Sequence, residues 1–238
     1  MSAVHRHPPG MIRSIAVLLF ACACSSAGAA GPSYNAPGVL EKNSGKGLVD
    51  KNVYYPHILF PLENAPAYLN SQVYRPGGNK SIVAGGQCDS VNYTYPWVDN
   101  FCESRGWDMP MCPGGTGHQG QDIRPASCKK NLHWAVAVED GIVSHIGSYS
   151  VTLQARSGTL YRYLHLGMKG LRVKLLDDVK QGDKIGQVSS DFGDASTTIH
   201  LHFDIKDAVK GNKGKGMVYM PPYMSLQASY KRLLAVQP

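Results

Sequence analysis

The sequence predicts a mainly β fold, an antiparallel β-sandwich or open barrel with a short C-terminal helix. Three observations carry that prediction. Gly 26 and Pro 15 are plentiful beside only 5 Phe and 3 Trp, a turn-rich balance that disfavours a helical bundle. Short runs of alternating apolar and polar residues recur after position 114, with turn residues between them. One run, Ile199 to Ile205, alternates without a break. The 238 residues suffice for one domain with an appendage, and 43% hydrophobic against 17% charged residues exclude a disordered chain. No apolar run approaches the roughly 18–20 residues of a membrane-spanning helix.

The elements follow in chain order. Residues 1–30 read as a secretory signal peptide. Arg6 and Arg13 precede the apolar stretch Ile15 to Cys24, and the small residues Ser25 to Ala30 follow it. A second reading makes Leu19-Phe20-Ala21-Cys22 a lipobox, with a lipid anchor at Cys22. Removing residues 1–30 takes away Arg6 and Arg13 and lowers the formal charge from +7 to +5, still basic enough to attract anionic envelope material. Residues 31–56 are rich in Gly, Asn, Lys and Pro and read as a linker or propeptide-like arm.

Residues 57–112 form an irregular segment with turn formers such as Pro76-Gly77-Gly78-Asn79. Its aromatics Tyr93, Tyr95, Trp97 and Trp107 suit either a small core under a long loop or stacking on sugar. Cys88, Cys102, Cys112 and Cys128 remain after the leader and read as two disulfides of an exported protein, with three pairings open. The competing zinc ribbon needs a Cys-x2-Cys spacing that is absent.

Residues 113–218 form the regular domain. Trp134 to Ile146 reads as a hairpin around Asp140-Gly141, and Ser150 to Arg156 pairs with Thr159 to Leu166 around Ser157-Gly158. Val179 to Gly186 is a turn entering a strand. Residues 219–238 are a helical tail, with one amphipathic helix from Tyr223 to Leu234 after Pro221-Pro222.

Three clusters carry chemistry. In a strand, side chains two apart share a face, so Ile199, Leu201, Phe203 and Ile205 point to a core while His200, His202 and Asp204 point away. Two imidazoles on one polar face suit a metal site, or are a surface pair without a role. The second cluster is His118-Gln119-Gly120-Gln121-Asp122. Its ends would lie roughly 13 Å apart in a straight strand, too far for one zinc ion, so the chain must bend, and Gly120 supplies the freedom. The third is Tyr161-Arg162-Tyr163-Leu164-His165, where His165 shares a strand face with Tyr163 and Tyr161. His57, His133 and His145 have no partner by spacing and read as structural or surface groups. Lys206, Lys210, Lys213 and Lys215 read as a solvated, Gly-rich loop.

Together these motifs resemble the lysostaphin-type (LytM-like) zinc peptidases of bacterial cell walls. The resemblance rests on His-x-Gly-x-Asp, Tyr-x-His-Leu, Gly-Asp-x-Ile-Gly and His-Leu-His-Phe followed by an acid, in that order, and spans about Gly114 to Ile205. It implies that His118, Asp122 and His202 hold one zinc ion, leaving a fourth position open for water. It implies His200 as general base and His165 as the group that steadies the oxyanion. The implied function is exported hydrolysis of peptidoglycan peptide cross-links by a zinc-activated water, in the periplasm, cell envelope or medium. The implied protein is a monomer with neither a nucleic-acid partner nor a membrane span. Two alternatives share these motifs: a non-catalytic regulator of wall hydrolases, and a zinc D,D-carboxypeptidase or protein-cleaving peptidase. The chain departs from the family's pattern at Ser189 to Ser196, which replaces its Gly-x-Thr-Gly-like turn, and at Asp204, which stands where Glu is more familiar. Asp204 either orients His202 or is solvated.

Overall fold

The computed structural model describes residues 1–3, 31–208 and 216–237. The signal-peptide and lipobox readings, with Cys22 and Cys24, lie outside the described residues, as do Lys210, Lys213 and Lys215. Residues from Pro32 to Pro238 form one compact unit.

Among the described residues, twelve strands, one α-helix and two short 3-10 helices (Ser90–Tyr93 and Met168–Gly170) build it. The strands and the α-helix are β1 (Tyr68–Leu69), β2 (Gln121–Arg124), β3 (Trp134–Val136), β4 (Gly141–Ile146), β5 (Ser150–Ala155), β6 (Leu160–Leu164), β7 (Asp178–Val179), β8 (Lys184–Gln187), β9 (Asp191–Phe192), β10 (Ala195–Ser196), β11 (Leu201–Ala208), β12 (Met217–Met220) and α1 (Tyr223–Val236). The main sheet is open and antiparallel, in the order β1-β2-β11-β6-β5-β4-β7, with β12 also on β11. Two small sheets pair β3 with β8 and β9 with β10. The predicted mainly β fold with a C-terminal helix is what the chain adopts.

β11 is the organising strand because its apolar residues face the centre: Leu201, Phe203 and Ile205 are wholly buried. They pack with Ile123, Tyr161, Tyr163, Val151 and Leu153 from the neighbouring strands. Burial of each such side chain contributes roughly 1.5–3 kcal/mol. The polar face of β11 is also buried, so His200, His202 and Asp204 need partners within the protein.

Two local expectations are corrected. Trp134–Val136 and Gly141–Ile146 do not form a hairpin: the first pairs with β8 and the second with β5 and β7. Asp140 accepts from the Gln181 N–H (2.8 Å) and pairs with Lys180 (3.0 Å), so it anchors the turn before β8 instead of closing its own. Gly141 is required by close packing, since a Cβ there would run into the Gln154 carbonyl and sit 2.9 Å from Leu153 Cδ1. Lys206 lies in β11, with its ammonium 4.3 Å from the Tyr219 ring centre, and not in a loop.

The segment before the regular region packs into the same core. Ile58, Phe60 and Leu62 are buried along β3, where Glu63 N–H donates to the Trp134 carbonyl (3.0 Å) and Val136 N–H to Pro61 (3.0 Å). Trp97 is fully buried, its ring 4.5 Å from Tyr230 of α1 and 5.8 Å from Phe60. The arm joins too: Tyr34 meets Trp97 edge-on at 5.1 Å, and Gly38 N–H donates to Asp99 (2.8 Å). The disulfides pair Cys88 with Cys128 and Cys102 with Cys112.

Candidate metal centre

Antiparallel register places the first two groups. His202 of β11 stands directly opposite Asp122 of β2, and Leu201 opposite Ile123. Directly opposed residues on one face bring their Cβ atoms within about 5 Å, so an imidazole and a carboxylate meet there. His118 arrives from the loop before β2. Its N–H donates to the Glu103 carbonyl (2.8 Å), and its carbonyl accepts from Cys102 N–H (3.0 Å). Between them Gly120 lies against β11, where a Cβ would stand 2.9 Å from His202 Nε2 and 2.8 Å from Asp204 Cβ. Gly120 is needed for this close approach, not for a left-handed bend: its φ is not among the positive ones.

Three ligand-type atoms converge. His118 Nε2 is 2.9 Å from His202 Nδ1 and 3.2 Å from Asp122 Oδ1, and His202 Nδ1 is 3.0 Å from the same oxygen. Ligands at about 2.0–2.2 Å on a tetrahedral ion stand roughly 3.3–3.6 Å apart. The triangle is slightly tighter than that and made of the nitrogen and oxygen donors zinc prefers, so the residues present fit zinc. The second nitrogen of each ring is held by the protein. His118 Nδ1–H donates to the Asn100 carbonyl (2.8 Å), and His202 Nε2–H to Asp204 Oδ2 (3.2 Å). Asp204, across the ladder from Arg162, also binds that guanidinium at 2.8 Å. It is buried, not solvated.

His200 and His165 adjoin the triangle. His200 Nε2 is 3.5 Å from Asp122 Oδ1, and its Nδ1–H donates to the Thr198 carbonyl (2.8 Å). His165 does not continue the face of Tyr161 and Tyr163. β6 ends at Leu164, and His165 takes φ 65°, which swings its ring out of the core. A left-handed non-glycine residue costs about 1–2 kcal/mol and persists where the surroundings enforce it. Here the ring stacks on Tyr149 (5.7 Å, 4° between planes), lies 4.5 Å from the His200 ring and donates Nδ1–H to the Asp191 carbonyl (2.8 Å).

Burial governs the charges. It pushes His165 well below its ordinary 6.5, helped by the neighbouring His200. It also lowers His200, against the pull of Asp122. Burial alone would raise Asp122, yet His118 and His200 hold it well below 3.8. Burial alone would lower His202, yet its hydrogen bonds to Asp122 and Asp204 keep it above 6.5. Asp122 is therefore a carboxylate at neutral pH, and the His165 and His200 rings beside it are neutral.

All five predicted side chains meet at one cleft of about 770 Å³. Sequence reasoning missed Asn100, Tyr149, Thr198 and Arg162. Thr198 and Arg162 lie close to the motifs but carry no ligand chemistry of their own, and Asn100 lies 18 positions from His118. His133 bonds Ser127 Oγ (2.7 Å), while His57 and His145 are exposed.

Residues 116–215 match the model of peptidase family M23, a stretch that contains all five side chains. Comparison with curated proteins gave no match. Among solved structures the chain is similar to LytM of Ruminococcus gnavus, with 22% identity, TM-score 0.40 and 47% of each chain covered. It is similar to the catalytic domain of the antimicrobial peptidase lysostaphin from Staphylococcus simulans, with 22% identity, TM-score 0.42, and 59% of this chain and 97% of that one covered. A zinc containing peptidase from Vibrio cholerae shares 27% identity at TM-score 0.31, over 37% of this chain and 26% of that one. The chain thus spans about half the length of the Ruminococcus gnavus protein. Residues 116–215, with the five side chains among them, are thus similar to peptidase family M23.

Proposed function

We propose that this chain is an exported zinc metalloendopeptidase that hydrolyses peptide cross-links of bacterial peptidoglycan. The observation that supports it is the meeting of three ligand atoms within 4.8 Å of one another, with two further imidazoles beside them. His118, Asp122 and His202 would hold zinc, which supplies Lewis acidity toward water and a scissile carbonyl. With Nδ1–H committed to Thr198, His200 carries its lone pair at Nε2 and takes the proton from the attacking water. His165 is committed in the same way to Asp191, so its Nε2 is an acceptor while the ring is neutral. It steadies the oxyanion only after gaining a proton. The two adjacent rings resist double protonation, so they hand on one proton, finally to the leaving amine. Export fits the two disulfides. A non-catalytic regulator is the weaker reading because the chain keeps His118, Asp122, His165, His200 and His202, the side chains that the resemblance calls for.

The test is incubation of the purified chain with cross-linked muropeptide dimers, read by mass spectrometry. Monomers should appear, vanish with a chelator and return with zinc. Intact dimers in the zinc-loaded sample refute the proposal.

A further inference from the structure

Trp107 differs from the other tryptophan of its segment. Trp97 is fully buried, whereas Trp107 is 58% exposed and lines the cleft. A large aromatic normally buries most of its surface. This one is held outward by its loop. The Cys102–Cys112 disulfide closes the loop, and Met109 pins it to the interior. The Trp107 carbonyl accepts from Gly117 N–H (2.9 Å), and Asp108 bridges Thr116. Gly117 and the loop's Cys102 and Glu103 also position His118, so the backbone that carries Trp107 is tied to the His118 side of the metal centre. Tyr149 and Phe192 border the His165 side. Asn79 and Gln119 line the same cleft, and their side-chain amides make no hydrogen bond to the described residues. Arg105, also lining it, uses Nη1 and Nη2 on Ser104 and Glu103.

We propose that Trp107, with Arg105, Asn79 and Gln119, forms a sugar subsite for an N-acetylated hexose of the glycan strand that bears the scissile peptide. The proposal rests on the peptidoglycan reading above. A pyranose has a flat C–H face and a polar rim. The indole accepts the face, and the amides and guanidinium serve the hydroxyl and acetamido groups. The cleft then reads the strand and the peptide together.

Two measurements test it. The first titrates the full, metal-free chain with an N-acetylglucosamine tetramer and follows tryptophan fluorescence. A saturable change is expected in the wild type, and it should vanish in Trp107→Ala and Trp107→Phe. No saturable change in the wild type, or an equal change in the variants, overturns the subsite. The second measures hydrolysis of cross-linked muropeptide dimers with and without their disaccharides. Trp107→Ala should raise KM about tenfold for the sugar-bearing dimer, equivalent to one weak stacking contact, and under about twofold for the bare one. Trp107→Phe should recover most of the loss. An equal rise on both dimers means that Trp107 meets peptide, which also overturns the proposal. If the wild type cuts neither dimer, the peptidase reading fails, and the fluorescence titration still decides the subsite.

Discussion

Gly120→Ala tests how backbone packing sets the ligand geometry. The added methyl would press on the Phe203 carbonyl oxygen and stand 2.8 Å from Asp204 Cβ and 2.9 Å from His202 Nε2. Carbon contacts are comfortable from about 3.5 Å, so the loop and β11 must part by roughly 0.7 Å. A strand carbonyl cannot step aside as a side-chain end can. Overpacking of this kind costs about 1–3 kcal/mol. Metal ligation tolerates only about 0.2 Å. The same displacement therefore pulls His118 and Asp122 away from His202. Zinc affinity should fall at least about tenfold, in the range seen when a ligand loses its support. The melting temperature should fall only about 2–4 °C per kcal/mol. Isothermal titration with zinc and calorimetric melting measure the two effects. Gly114→Ala is the control, because its nearest atom, the Thr116 carbonyl oxygen, is 3.9 Å away. A folded Gly120→Ala chain with wild-type zinc affinity refutes the reasoning.

Other expectations are simpler to state. Asp204→Asn keeps an acceptor for His202 and should weaken zinc less than Asp204→Ala, which should lose about 10- to 100-fold; equal affinity in all three chains refutes the positioning role. His200→Ala should keep stoichiometric zinc yet lose about 10²–10⁴ in kcat; loss of zinc, read by elemental analysis, would place His200 among the ligands instead. Burial holds His165 and His200 below 6.5, so NMR titration of the metal-free chain should find both rings more than half neutral at that pH. The unfolded chain binds those two protons first, so their contribution to stability is lost as pH falls through 6.5. A midpoint above 6.5 for either ring contradicts the assignment.

Much of the site was legible because it is local. Alternation along β11 separated His200, His202 and Asp204 from Leu201, Phe203 and Ile205, and a strand enforces that separation. The spacing from His118 to Asp122 demanded that the chain bend, although Gly120 serves the close approach to β11 and not the bend. What misled was also local. Asp140-Gly141 has hairpin chemistry, yet its partners are Gln181 and the backbone of β5. His165 read as part of a regular strand, and a single left-handed residue turned it from core to cleft.

The sequence by itself determined the fold class, the apolar stripe of the central strand and the residue types gathered for metal chemistry, since each depends on intervals of two to four residues. Only the tertiary structure decided the disulfide pairing, the merging of the arm and the irregular segment into one core, and the pairing of Asp122 with His202. It also decided which tryptophan is buried and which faces the cleft. Those outcomes depend on contacts between residues tens of positions apart, where many arrangements satisfy the same local pattern and packing alone selects one.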